Sequence, residues 1–177
     1  DFRQDPATAA IFLTKQGRPY QPGDKLVQRD LARTLQRIAT HGTGGFYKGK
    51  VAAALVASSR LGGGIITQAD LDQYRARELS PITCDYRGHT IVSAPPPSSG
   101  GVALCQMLHI LEGYPLKDLG FRSAQAVHVQ IEAMRHAYID RNSHLGDPAF
   151  VKNPVARRLD KGYATTLRQA IDPARAG

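Results

Sequence analysis

The sequence predicts a mostly helical α+β fold that is part of a larger protein. Six segments carry the apolar spacing or the capping residues of helices, whereas one stretch, 82–93, has the composition of strands. Two or three strands do not form a stable sheet by themselves, so these strands are expected to pair with strands from another segment. At 177 residues, 42% of them apolar and 21% charged, the chain is long enough to form one domain with a core.

Residues 1–25 are predicted to form an extended connection, because proline and glycine recur there and the one apolar island, 11–13, is short. The sequence has neither an initiating Met nor the pattern of a secretory signal, which indicates a processed or partial chain. The predicted domain organisation therefore separates residues 1–25 from residues 26–177.

An amphipathic helix is predicted from Leu26 to about Thr40. Its apolar face consists of Val27, Leu31, Leu35 and Ile38, and its polar face of Arg29, Arg33 and Arg37. A second helix is predicted over 49–61, where it is followed by three glycines. Thr67 and Asp70 then have the spacing of a capping box, which predicts a short helix.

The stretch 82–93 is predicted to be a β-hairpin or two consecutive strands. β-Prone residues precede and follow the short connection formed by Tyr86, Arg87 and Gly88. No other part of the sequence shows a comparable strand pattern.

Three more helices are predicted in the C-terminal half. The first, 101–112, is expected to bury its leucines, which are Leu104, Leu108 and Leu111. The longest, 124–145, follows the N-cap residue Ser123 and has apolar residues at helical spacing, which are Val127, Ile131, Met134 and Tyr138. The third, 161–171, begins after Asp160, a suitable cap.

The formal net charge of +8 raises the hypothesis of a nucleic-acid partner. The Arg residues of the first predicted helix, however, lie on its solvated face, and the other basic residues are scattered without interleaved aromatic residues. The sequence therefore predicts no nucleic-acid partner, and a basic binding module is retained as an alternative. The apolar stretches are far shorter than a membrane-spanning helix needs, so no membrane span is predicted.

Neither a metal site nor a cofactor site is predicted. His128, His136 and His144 recur on the longest predicted helix, but successive ones are separated by roughly 12 Å along its axis, too far to share an ion. Cys84 and Cys105 belong to a predicted strand and a predicted helix, and they are interpreted as two small buried apolar residues, with one disulfide as the alternative.

The most distinctive string is Pro95, Pro96, Pro97, Ser98, Ser99, Gly100 and Gly101. It is typical of a rigid turn that docks a strand onto a helix, with serine hydroxyls available as caps and glycines that permit a close approach. The alternative is an anion or carboxylate site at the helix N-terminus. Arg141 and Asp147 are interpreted as structural, Arg141 as a partner for a carboxylate or helix carbonyls and Asp147 as a turn former.

Strings along the chain resemble, in order and spacing, those of the γ-glutamyltranspeptidases. The resemblance covers nearly all of the chain from Leu26 onward, and it is specific because several strings occur together. They are 46–49, 63–67 with Asp70, Leu71 and Tyr74, then 86–88, 95–101, 137–141 and 145–148.

The resemblance implies the αββα sandwich of an N-terminal-nucleophile hydrolase, made as one precursor that cleaves itself into a large and a small subunit. This chain then corresponds to the C-terminal half of the large subunit. The N-terminal Thr of the small subunit is expected to attack the γ-glutamyl amide of glutathione, with its own α-amine as the base. Water, an amino acid or a peptide accepts the γ-glutamyl group. The implied location is periplasmic or secreted.

The implied catalytic residues lie outside this chain. The nucleophile and the oxyanion donors are expected beyond Gly177, and the Arg that binds the substrate α-carboxylate is expected before Asp1. Thr165 and Thr166 fall within a predicted helix. No catalytic residue is therefore assigned, and the chain alone is expected to be an inactive scaffold whose partners are the small subunit and the rest of the large subunit. The enzymatic alternatives are a related cephalosporin acylase or poly-γ-glutamate depolymerase.

Overall fold

The computed structural model describes residues 2–177 and divides them into two compact units, the first ending at Ala76 and the second spanning Arg77–Gly177. The regular elements of the first unit are all helices, joined by turns and irregular stretches, and one isolated β-bridge pairs Leu13 with Pro19. A 3₁₀ turn, Phe2–Gln4, precedes five α-helices: α1 (Pro6–Phe12), α2 (Arg29–His41), α3 (Gly44–Tyr47), α4 (Gly49–Leu61) and α5 (Gln68–Gln73).

Helix α1 corrects the prediction that residues 1–25 are extended throughout. Asp5 caps the helix by accepting a hydrogen bond from the backbone N–H of Thr8 at 2.8 Å, and Pro6 occupies the first helical position. Proline is favoured there because its missing N–H has no partner in the helix. Proline recurs in residues 1–25, but after Asp5 the proline at position 6 begins a helix. The division of domains at residue 25 stays a prediction.

The predicted helices α2, α4 and α5 are confirmed. Helix α4 has the predicted bounds, and α5 opens with the predicted capping box between Thr67 and Asp70. Helix α2 begins three residues later than predicted, and its apolar face is exposed in this unit, with Leu35 56% exposed. Gly45 lets α3 approach α2 closely, since a Cβ atom there would lie 2.9 Å from the Cα atom of Ile38.

The second unit begins with an antiparallel hairpin of β1 (Ile82–Tyr86) and β2 (His89–Ser93), in which Cys84 pairs with Ile91. Arg87 and Gly88 form its two-residue turn with φ angles of 49° and 79°. Positive φ at both positions is the geometry of the turns that match the twist of a hairpin. Within residues 2–177 the sheet contains these two strands alone, so pairing with another segment stays a prediction.

Helix α6 (Gly100–Glu112) lies at the centre of the second unit and packs against both strands, α7 (Ala124–His144), α8 (Val155–Arg158) and α9 (Lys161–Gln169). The prediction that α6 buries its leucines was wrong for Leu104, which is 43% exposed. The face that contacts the surrounding elements instead carries Val102, Cys105, Gln106, His109 and Ile110. Of these five residues only Ile110 is an apolar side chain as large as leucine. The spacing of the leucines therefore did not identify the buried face of α6.

A small apolar core joins α6, α7 and α9. It consists of Ile110, Ala133, Ala164 and Ile171, with Leu111, Tyr114 and Leu167 packed against it. Helices α7 and α9 have the predicted caps, Ser123 and Asp160. None of the helices formed by residues 2–177 is long and apolar enough to cross a lipid bilayer.

Cys84 and Cys105 form a disulfide between β1 and α6, with their Cα atoms 6.1 Å apart. The favoured interpretation of two separate buried thiols was therefore wrong. Strand β1 packs on α6, and Cys105 lies on the fully buried face of that helix. The two side chains meet because the fold brings these elements together, a juxtaposition that the spacing of two cysteines does not reveal.

Candidate functional site

The string 95–101 connects β2 to α6 and holds the helix close to the hairpin. A Cβ atom added to Gly101 would lie 2.7 Å from the backbone oxygen of Ala94 and 2.8 Å from side-chain atoms of Ile82 and Ser93. Only a residue without a side chain fits this contact. The turn that leads into the helix is formed by residues 95–98. The Ser98 N–H donates to the Pro95 carbonyl at 3.1 Å. The peptide bond between Pro96 and Pro97 is cis.

Ser99 is the N-cap residue of α6, but its hydroxyl does not cap the helix. It accepts a hydrogen bond from Nε of Arg141 at 3.0 Å instead. Arg141 also donates to the side-chain oxygen of Asn142 at 2.8 Å. The sequence predicted that Arg141 would bond to a carboxylate or to helix carbonyls. Its guanidinium instead links the C-terminal end of α7 to the N-terminal end of α6 through Ser99.

Asp147 lies in the loop that follows α7. Its carboxylate accepts from the N–H of Ala149 at 2.9 Å, and its backbone oxygen accepts from Phe150 and Val151 at 2.9 and 3.0 Å. Arg77 lies 3.9 Å from the same carboxylate, but both side chains are about half exposed, so this ion pair contributes little to stability. Asp147 therefore shapes the loop through backbone hydrogen bonds.

The turn at 95–97 and the loop at 147–153 line one open cavity of about 600 Å³. The lining residues are Pro96, Pro148, Ala149, Phe150, Val151, Lys152, Asn153 and Val155. The strings 95–101 and 145–148, which are far apart in the sequence, are thus brought together. The lining contains one cationic side chain and no carboxylate, so it offers no acid–base pair.

Arg87, which lies between Tyr86 and Gly88, anchors the hairpin turn to the C-terminal end of α6. The Arg87 N–H donates to Glu112 at 3.0 Å, and its guanidinium donates to the carbonyl of Tyr114 at 2.7 Å. Lys161 of α9 pairs with the same Glu112 carboxylate at 2.7 Å. The hydrogen bond from Lys161, followed by that from the Arg87 N–H, lowers the pKa of Glu112 below its ordinary value.

The most buried polar cluster, centred on Asp140, was not assigned a role from the sequence. One oxygen of Asp140 accepts from Arg158 at 2.8 Å, from the Tyr163 hydroxyl at 2.9 Å and from the amide of Gln106. Asp140, Arg158 and Gln106 are each at most 7% exposed. The cluster joins α6, α7, α8 and α9. Burial, with the hydrogen bond to Asp140, raises the pKa of Tyr163.

One feature of the sequence indicates that Asp140 is buried. It follows Ala133 and Ala137 at spacings of seven and three residues, which places a carboxylate on the buried face of α7. A charged residue at such a position requires a partner. Arg158 could not be identified as that partner because it lies on a four-residue helix with no apolar periodicity.

The described groups hold elements together. The hydroxyls of Thr165 and Thr166 donate to backbone oxygens within α9 at 2.9 and 3.3 Å, so they are helical side chains. Within residues 2–177 no group of three or more His, Cys, Asp or Glu side chains has the geometry to hold a metal ion. The arrangement can position neighbouring elements, and no described residue is assigned to catalysis.

Comparison with known proteins gives one family. The model of the gamma-glutamyltranspeptidase family matches residues 1–177. A glutathione hydrolase proenzyme from Pseudomonas sp. (strain A14) is 64% identical over 177 residues, which are 100% of this chain and 31% of that protein. An acylase ACY 1 proenzyme from Pseudomonas sp. (strain SE83) is 48% identical over 172 residues, 97% of this chain and 31% of that protein. The chain thus spans about a third of these curated relatives.

The solved structure of Helicobacter pylori gamma-glutamyltranspeptidase has the same fold over this region. It superimposes with a TM-score of 0.87 at 40% sequence identity, covering 99% of this chain and 50% of that one. The predicted fold class, a mostly helical piece of an N-terminal-nucleophile hydrolase, is confirmed by this similarity.

Proposed function

Because this chain belongs to the γ-glutamyltranspeptidase family, we propose that it is a scaffold segment of an enzyme that cleaves γ-glutamyl amides such as glutathione. The γ-glutamyl group passes to water, an amino acid or a peptide. The observation that carries the proposal is the family match over the whole chain together with 64% identity to a glutathione hydrolase proenzyme. The described contacts support a scaffold role, since they join helices and the hairpin.

The proposed chemistry belongs to residues outside this chain. The hydroxyl of the Thr that begins the small subunit attacks the γ-carbonyl carbon, and its own α-amine accepts the hydroxyl proton. The C–N bond breaks and the leaving amine takes the proton, which leaves a γ-glutamyl ester on the Thr. An acceptor then attacks the ester and releases the Thr hydroxyl. The small subunit and the rest of the large subunit are therefore the proposed partners.

The proposed location is periplasmic or secreted. The disulfide between Cys84 and Cys105 supports it, because disulfides persist in oxidising compartments and are rare in the cytosol of most organisms. Cell fractionation of the source organism tests this: recovery of the protein with cytosolic markers contradicts the proposed location.

The test of the proposed function uses the complete polypeptide. We expect it to separate into two subunits, to release glutamate from glutathione, and to form a γ-glutamyl peptide when a dipeptide acceptor is added. Replacing the Thr that begins the small subunit with Ala should abolish both processing and turnover. Failure of the processed protein to cleave glutathione, or turnover by the Ala variant, contradicts the proposal.

A second candidate is an amidase that removes the acyl group of a cephalosporin. It is favoured by the likeness to the solved structure of a cephalosporin acylase from Bacillus halodurans, which superimposes with a TM-score of 0.78 at 30% identity over 92% of this chain and 30% of that one. The 48% identity to an acylase ACY 1 proenzyme also supports an acylase. The same purified protein distinguishes the two: its kcat/KM for glutathione should exceed that for an acylated cephalosporin, and the reverse order favours the acylase.

A further inference from the structure

A cavity of about 320 Å³ lies beside the buried Asp140 cluster, where the C-terminal end of α7 meets α8 and α9. Its walls carry two arginines and one carboxylate, so positive charge exceeds negative charge there. The lining residues are Asp140, His144, Pro154, Arg157, Arg158 and Tyr163. None of them lines the cavity formed by the turn at 95–97 and the loop at 147–153.

Arg158 is the buried cation of this cavity, and its hydrogen bonding is incomplete. The residue is 4% exposed, and its Nη1 pairs with the Asp140 carboxylate at 2.8 Å. Its Nε is also buried, and it has no hydrogen-bond partner among residues 2–177. A buried donor without an acceptor is costly, because it has lost its hydrogen bonds to water. The Nε–H group is therefore a donor that a bound acceptor would satisfy.

Arg157 brings a second cation to the same cavity. Its guanidinium carbon lies 5.0 Å from the centre of the Tyr163 ring, and the guanidinium carbon of Arg158 lies at the same distance from that ring. In the part of the chain that the structure describes, Arg157 forms no ion pair. The nearby Asp160 does not line the cavity, since its carboxylate caps α9 by accepting from the Tyr163 N–H at 2.7 Å.

Asp140 offsets only part of the positive charge. One of its oxygens already accepts from Arg158, from the Tyr163 hydroxyl and from the amide of Gln106. Two guanidinium groups thus face one carboxylate that is bonded within its own cluster. Arginine binds oxyanions through short, charge-assisted hydrogen bonds, and its planar fork matches the spacing of two oxygens on one carboxylate or phosphate. A small anion with several oxygens fits both the charge and the unsatisfied donor.

We propose that this cavity binds a small oxyanion, of the phosphate or the carboxylate class, between the Nε–H of Arg158 and the guanidinium of Arg157. The bound anion would join α8 to α9 at the end of α7. The inference does not rest on the proposed function, since it requires neither processing nor turnover. It can fail while the enzyme is active and hold while the enzyme is inactive.

The experiment is isothermal titration calorimetry of the complete protein with inorganic phosphate and, in a second series, with acetate, both at one ionic strength. The two probes distinguish a phosphate from a carboxylate ligand. We expect one equivalent of at least one probe to bind, and Arg157→Met to weaken its affinity at least about tenfold, because charge-assisted hydrogen bonds are lost. Arg157 is exposed, so this variant should fold normally.

Arg122→Met is the matched control. Arg122 is also exposed, and its guanidinium carbon also lies 5.0 Å from an aromatic ring, that of Phe121, but it does not line the cavity. Its replacement removes the same charge and should change the affinity less than about twofold, because a distant exposed charge is screened by salt. Arg158→Lys keeps a cation beside Asp140 but has no Nε–H, and it should weaken binding as Arg157→Met does. If that variant does not fold, Arg157→Met decides the test.

Three results would overturn the proposal. One is that neither probe binds the complete protein. Another is binding that Arg157→Met leaves unchanged, which places the anion elsewhere. The third is an equal loss in Arg157→Met and Arg122→Met, which indicates attraction to the net positive charge alone. Binding of either probe that depends on Arg157 and not on Arg122 supports the proposal.

Discussion

Gly100 and Gly101 are adjacent in the sequence but have different surroundings. A Cβ atom at Gly101 would lie 2.7 Å from the Ala94 backbone oxygen, whereas at Gly100 its nearest neighbour would be the Ser98 hydroxyl at 3.6 Å. Gly101→Ala should therefore cost about 1–3 kcal/mol through overpacking. Gly100→Ala is the matched control and should cause no loss, with a gain of up to about 1 kcal/mol from helix propensity. Urea denaturation of the complete protein measures both, and equal effects contradict this account.

Asp140 is expected to be the most sensitive polar residue. Asp140→Asn keeps the shape of the side chain but leaves the buried Arg158 without its charge partner, which should cost about 3–5 kcal/mol. Asp30→Asn is the matched control, because the Asp30–Arg33 pair is highly exposed and contributes at most about 1 kcal/mol. The comparison is made by urea denaturation, and similar midpoints for the two variants count against a stabilising role of the Asp140 cluster.

The bonding partners of single residues were the feature least predictable from the sequence. The string 95–101 and Gly101 were singled out correctly as a tight connection, since proline and glycine act locally. The partners of Ser99 and Asp140 lie 42 and 18 residues away along the chain. Those partners depend on how helices pack, and no local pattern contains that information.

At the scale of elements, the disulfide fixes β1 to α6. It closes a loop between residues separated by 21 positions, and its removal should cost about 3 kcal/mol. The double variant Cys84→Ser/Cys105→Ser tests this by urea denaturation. A reductant should lower the urea midpoint of the unaltered protein towards that of the variant and leave the variant unchanged. No response of the unaltered protein to reductant contradicts a stabilising disulfide.

Glu112 joins three elements, the hairpin turn through Arg87, its own helix α6, and α9 through Lys161. These bonds hold its pKa below the ordinary value of 4.5 in the folded protein. The stabilisation is therefore fully present above about pH 4.5 and is lost as the pH falls through the lower, folded pKa. Glu112→Gln should be less stable than the unaltered protein at pH 7, with the difference shrinking below pH 4. Urea midpoints across this range measure it, and a constant difference contradicts the assignment.

Elements were largely predictable because apolar spacing and capping residues are local. The hairpin, α4 and the capped helices α5, α7 and α9 are where the sequence placed them. Helix α1 was missed because Pro6 was interpreted without Asp5, and the four-residue helices α3 and α8 are too short to show periodicity. The buried face of α6 was misassigned because polar residues, Gln106 and His109, lie on it.

At the scale of the whole molecule, the chain resembles part of a protein more than a self-contained one. Its two units leave apolar helix faces exposed, on α2 and on the face of α7 formed by Val127, Ile131, Met134 and Tyr138. The chain matches about a third of its curated relatives. The family could be predicted from the sequence because several strings occur together in order. The sequence assigned no catalytic residue to this chain, and that assignment stays a prediction.

We propose that this chain supports the catalytic centre of a γ-glutamyltranspeptidase without containing it. The direct measurement is glutamate release from glutathione by the purified polypeptide 1–177 and, in parallel, by the complete protein at the same molar concentration. We expect glutamate release by the complete protein and none above the no-enzyme rate by the polypeptide 1–177. Release by the polypeptide 1–177 alone would contradict it.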